Sequence, residues 1–264
     1  MVALFVLKLV AGIVLMWLLM PRRDVTDGFF RIQMLVVLGL TVLLVLTLEP
    51  ATLTGGAGSA SPAESGDAEQ VLRWLRGMNV AAAVIAYAGH IFWKLGRRVP
   101  GNACIYSLGA LTLAALGLHA VVMVKQVPAW LQLLSEASSA AVLGATLTGM
   151  LLGHWYLTTP AMSIQPLTWF TRALFFAGLA RLLATVIVLV HFRWPSTDTT
   201  LTLWLIVRWI GSMAVPLATA FVVARILKYR NTQSATGVLF AALILVFMGE
   251  MSATLIERTL SLPY

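Results

Sequence analysis

The chain has 264 residues, of which 60% are hydrophobic and 11% charged, with a formal net charge of +8 and one cysteine, Cys104. Soluble globular domains run near 45–50% apolar and about 25% charged, so a water-soluble fold is excluded. The 18 Lys and Arg are scattered, with no basic run longer than Arg22-Arg23 or Arg97-Arg98, which argues against nucleic acid as a partner, and one cysteine excludes an intramolecular disulfide, a Cys-rich metal site and c-type haem attachment.

Apolar runs and breakers predict eight membrane spans, near 1–20, 33–49, 72–94, 103–124, 130–157, 167–192, 201–225 and 234–258. Each is long enough to cross a hydrocarbon core of about 30 Å at about 1.5 Å per residue. The expected fold is all-α, a polytopic integral membrane bundle of about eight transmembrane helices forming a single domain over residues 1–264.

The first run, "MVALFVLKLVAGIVLMWLLMPRRD", has one charge, Lys8, before its apolar stretch and its arginines after it. That order suits a retained first span, since a cleaved signal carries its charge ahead of the apolar core and ends in a small-x-small site. Between the second and third spans, the acidic Gly/Ser-rich stretch over residues 50–70 reads as a flexible external loop.

The third span ends in "YAGHIFWKLG", with His90, and the fourth carries His119. The fifth opens near Glu136, continues through the small residues of "SSAAVLGATLTGMLLG", which suit close helix packing, and ends in "LLGHWYLTTP", with His154. "GHIF" and "GHWY" lie 64 residues apart and suggest a faint duplication of two hairpins. Arg181 and His191 fall in the sixth span, Arg208 and a kinking Pro216 in the seventh, and Glu250 in the eighth.

Threading places ten Lys and Arg on one side of the membrane (Arg22, Arg23, Arg31, Lys94, Arg97, Arg98, Arg172, Arg225, Lys228, Arg230) and five on the other (Arg73, Arg76, Lys125, Arg193, Arg258). By the positive-inside rule the first side is cytoplasmic and both termini are outside, most simply in a bacterial cytoplasmic membrane. Below, "outer" names the end of the bundle that carries the N-terminus and "inner" the opposite end.

Two constellations bear on function. His90 and His154 lie at one depth near the inner boundary, each preceded by a glycine, and two such imidazoles on opposite sides of one iron would hold b-type haem. The blander reading is an interfacial belt with Trp93, Trp155 and Tyr156. The second constellation is deeper: Arg181, Arg208 and Glu250 lie about 12–16 Å below the outer boundary, with Glu136 and His119 about 9–10 Å deep. Charges at such depth normally face a partner or a wet cavity. Arg181–Glu250 and Arg208–Glu250 are the expected pairings, with Glu136 and His119 on the opposite wall.

Three functions fit. The favoured one is a b-type haem or quinol-linked electron-transfer subunit, with His90 and His154 on the metal, Arg181 and Arg208 towards the cofactor, and Glu136, His119 and Glu250 handling protons. The second is a transporter of a small solute, ion or proton using an outward polar cavity. The third is a non-catalytic subunit of a larger membrane assembly. No phosphate loop, Asp-rich Mg²⁺ motif or His-Glu-x-x-His site is present.

Overall fold

The computed structural model describes residues 1–49, 62–123, 128–159, 161–192 and 199–260, and no strand occurs among them. Among the described residues nine α-helices follow one another: α1 (Val2–Leu19), α2 (Asp27–Thr47), α3 (Pro62–Lys94), α4 (Arg98–Met123), α5 (Ala129–Thr158), α6 (Gln165–Phe192), α7 (Thr199–Arg208), α8 (Val215–Leu227) and α9 (Thr232–Leu260). A π-helical turn, Trp209–Ala214, joins α7 to α8, so these two form one span, and eight helical segments among the described residues are long and apolar enough to cross a membrane.

Proline chemistry explains several of these boundaries. Pro62, Pro100 and Pro166 occupy the first turns of α3, α4 and α6, where an amide hydrogen has no intrahelical acceptor in any case. Pro216 stands inside the seventh span, and lacking an N–H it cannot bond the carbonyl of Ser212. The ladder lengthens just ahead of it, with the Val215 amide donating to Ile210 O, five residues back. A widened turn, rather than a simple bend, accommodates the proline.

Two boundaries differ from expectation. Helix α2 begins at Asp27 rather than near 33, because the Asp27 carboxylate favours a helix N-terminus and pairs with Arg98 at 2.8 Å. Helix α3 already runs from Pro62, so the later part of the stretch expected as external loop is helical; residues 50–61 lie outside the described residues.

The first helix is the axis of the bundle. Of its span 78% is buried within the protein, against 28% for α3. It packs on α2, α4, α5 and, more lightly, α9. Small residues allow this: a Cβ at Gly12 would sit 1.9 Å from Ala140 O, and one at Gly144 would sit 2.1 Å from Gly12 C, so the α1 and α5 backbones touch. A second close crossing brings the π turn onto α9, where a Cβ at Gly211 would lie 2.3 Å from Leu245 O. Elsewhere α2 packs on α3, α3 on α4, α5 on α6, α9 and more lightly α4, and α6 and α9 on α8.

Polar contacts at the helix ends agree with alternating spans. At the outer end, Arg76, near the middle of α3, donates to Leu48 O at 2.6 Å and so joins α3 to the end of α2, and Trp130 meets His191 edge-on. At the inner end, Arg22 donates to Tyr106 Oη at 2.6 Å, and Trp155 Nε1 donates to Thr26 Oγ1 at 2.8 Å.

Candidate functional site

Buried charge collects along the axis, towards the outer ends of α1, α5, α6, α7 and α9, in two tiers. Helix rise puts Glu257, Lys8 and Glu136 about 5–11 Å in from the outer ends of α9, α1 and α5, and Arg181, Arg208 and Glu250 about 14–17 Å in.

The deeper tier is built on one ion pair. Arg181 on α6 donates through Nε to Glu250 Oε1 and through NH2 to Glu250 Oε2, both at 3.0 Å, and each residue is 1% exposed. The remaining guanidinium nitrogen, NH1, donates to the carbonyl and hydroxyl of Ser135 at 3.1 and 3.0 Å. Ser139, one turn further along α5, donates to Glu250 Oε2 at 2.5 Å. Arg208 donates to Thr185 Oγ1 at 3.0 Å, one turn beyond Arg181, and lies within electrostatic reach of Glu250.

The outer tier centres on Lys8. Its ammonium lies between Glu136 Oε1, at 3.1 Å, and Glu257 Oε2, at 3.2 Å. Gln132 spans the same two carboxylates, donating to Glu257 Oε1 at 2.8 Å and to Glu136 Oε1 at 3.2 Å. With both amide hydrogens engaged, its carbonyl can only accept. Glu136 Oε2 and Gln132 Oε1 are buried and have no hydrogen-bond partner among the described residues. The same is true of both ring nitrogens of His119, which is 1% exposed and within electrostatic reach of Glu257 and Lys8.

Three cations (Lys8, Arg181, Arg208) thus accompany three carboxylates (Glu136, Glu250, Glu257), unevenly arranged. The outer tier holds two carboxylates and one lysine; the deeper tier holds two arginines and one carboxylate.

Lys8, Glu257 and Gln132 were not among the residues singled out from sequence. Signals for each exist: Lys8 is the one charge in a twenty-residue apolar run, Glu257 follows Glu250 by seven residues and so shares its helix face, and Gln132 precedes Glu136 by four.

The two inner histidines are not brought together. His154 is exposed on α5, while His90 on α3 is half-buried with Nδ1 3.0 Å from Arg31 O. Helix α3 packs on α2 and α4, and α5 on α1, α6, α9 and, more lightly, α4, so α4 stands between α3 and α5. The glycines expected to leave room for a macrocycle are filled: a Cβ at Gly89 would meet Met34 Sδ at 2.9 Å, and one at Gly153 would meet Thr236 Oγ1 at 2.7 Å. Both serve helix packing, and the residues present do not fit a haem between His90 and His154. The end of α5 is anchored by Trp155, bonded to Thr26 and packed edge-on to Phe29, and by Tyr156, which donates to Ser163 O.

Comparison with family models, with curated proteins and with solved structures gave no match. What stands is the class: an integral-membrane-type bundle of eight apolar helices with a buried charge column.

Proposed function

We propose that this protein transports an ion, alone or as the ion-carrying subunit of a larger membrane assembly, and that the two-tier column is its working element. The observation that carries the reading is the unequal satisfaction of the column. Its deeper ion pair is fully hydrogen-bonded, while acceptor atoms of Glu136 and Gln132, and the whole His119 ring, have no hydrogen-bond partner among the described residues. A column that only locked helices together would gain little from charge, because buried ion pairs roughly break even against apolar packing. Ionisable side chains within a membrane commonly mark ion and proton paths. The column also has an entrance, since the Glu257 side chain is 18% exposed while its partner Lys8 is 5% exposed.

A second reading, a quinol-linked subunit, draws on His119 within electrostatic reach of Glu257: a histidine and a carboxylate in one buried cluster are suited to accept the protons that a quinol releases on oxidation. It owes nothing to His90 or His154.

The test is reconstitution of the whole chain into liposomes with imposed gradients of H⁺, Na⁺, K⁺ or Cl⁻, each followed with an entrapped dye under a clamped potential. At least one gradient should collapse faster than in protein-free vesicles. Equal rates for all four would end the ion-transport reading.

A further inference from the structure

We infer that the outer tier is a one-proton site in which Glu136 Oε2 holds the proton and Glu257 admits it from the outer surface. This rests on the ion-transport reading and names its ion.

Three observations lead there. With Lys8 charged and His119 neutral, the tier itself holds two carboxylates against one ammonium, the balancing guanidinium of Arg208 lying in the deeper tier against Thr185, so one positive charge is its local complement. The position an alkali ion would take, between the two carboxylates, is already filled by Lys8 Nζ at 3.1 and 3.2 Å. The oxygens left over are Glu136 Oε2 and Gln132 Oε1. Two oxygens are a poor shell for a dehydrated metal cation, whereas a proton needs one.

The groups facing Glu136 come from several helices: Lys8 from α1, Gln132 from its own α5, Arg181 from α6 and Glu257 from α9. His119 on α4 lies within electrostatic reach of Glu257 and Lys8. Loading then runs as follows. A proton from outer water binds the partly exposed Glu257 carboxylate. From Glu257 the proton passes inward to Glu136, an O–H bond breaking on one carboxylate as one forms on the other; Gln132 and Lys8 bridge the two. The proton ends as an O–H bond on Glu136 Oε2, with Glu257 ionised again and His119 neutral. The tier's net charge goes from minus one to zero, and no oxidant or reductant is needed.

The experiment is infrared difference spectroscopy of the full chain in liposomes after a pH jump. Acidification should bring up one protonated-carboxyl C=O band that shifts in D₂O. The band should be absent in Glu136→Gln and unchanged in Glu69→Gln, and in Glu257→Gln, which removes the excess negative charge, its midpoint should move to lower pH. A sodium jump at fixed pH should leave the spectrum flat. A band that persists in folded Glu136→Gln, or that follows sodium instead of pH, overturns the proposal. Should Glu136→Gln fail to fold, Lys8→Met serves instead: removing the ammonium leaves two excess negative charges, so the band's midpoint must move to higher pH, and an unmoved midpoint is equally fatal. Binding and flux separate the two readings. A pH-dependent Glu136 band without any ion flux removes transport and leaves the proton site, whereas flux that is undiminished in Glu136→Gln removes the proton site and leaves transport.

Discussion

Arg181 on α6 and Glu250 on α9 meet side-on in the bundle interior, with two parallel hydrogen bonds of 3.0 Å and neither residue more than 1% exposed. Paired bonds from a planar guanidinium to a carboxylate fix orientation as well as distance. The pair therefore sets the relative rotation and height of α6 and α9, and through Ser135 and Ser139 it holds α5 to both.

Glu250→Ala is expected to destabilise the protein strongly, because it strands Arg181 without its counter-charge in a dry interior. Breaking a buried pair costs about 3–5 kcal/mol in soluble proteins, and about 1–2 kcal/mol is a better scale for polar contacts against a membrane-embedded reference state. Glu69, exposed on α3, is the control, and its alanine variant should stay within about 0.5 kcal/mol of the parent. Equal melting of the two variants in detergent would contradict the structural weight placed on the pair. Replacing both Arg181 and Glu250 by Met should recover part of the loss.

Gly12→Leu should keep α1 from seating on α5. Even the first carbon of a side chain at Gly12 would stand 1.9 Å from Ala140 O, which is backbone and cannot rotate aside. Overpacking of this kind costs about 1–3 kcal/mol and more where nothing can yield. Gly39→Leu, on α2 with open space around it, is the matched control and should be tolerated. Yields of monodisperse protein and melting temperatures decide the matter; equal behaviour of the two leucine variants would refute the crossing.

His90→Ala and His154→Ala should each leave the oxidised and reduced absorption spectra of the purified protein as they were. One imidazole is bonded to a backbone carbonyl and the other is exposed on a helix packed elsewhere. Loss of a b-type haem signal in either variant would restore the bis-histidine arrangement.

Threading predicts labelling. In a Cys104→Ser background, which removes the one native cysteine, a cysteine at Val2 should react with an impermeant maleimide added to intact cells, and one at Arg97 should not. The reverse pattern would turn the whole bundle over without changing any internal contact.

Depth along the membrane normal was legible in the chain because it follows from counting residues at a fixed rise. That count put Arg181, Arg208 and Glu250 on one level, and helix ends in the structure give the same level. It also recovered eight spans, since length and apolarity are local properties of a segment. Rotation about each helix axis, and the choice of neighbours, are not local. His90 and His154 share a depth, yet α3 and α5 belong to different parts of the bundle, so equal depth did not become contact.

The first helix shows the same division. Its sequence is uniformly apolar apart from Lys8, and no periodic face marks it as central or peripheral. Two glycines, Gly12 and Gly144, lie 132 positions apart in the chain, and only their meeting lets the α1 backbone come close enough to α5 for Lys8 to reach Glu136 at 3.1 Å. Composition and spacing determined that this chain spans a membrane eight times and buries charge at defined depths, because those follow from apolar length and helix rise. Which charges neutralise one another was decided by helix packing, because a side chain's partners depend on backbone approach and rotation that its own segment does not encode.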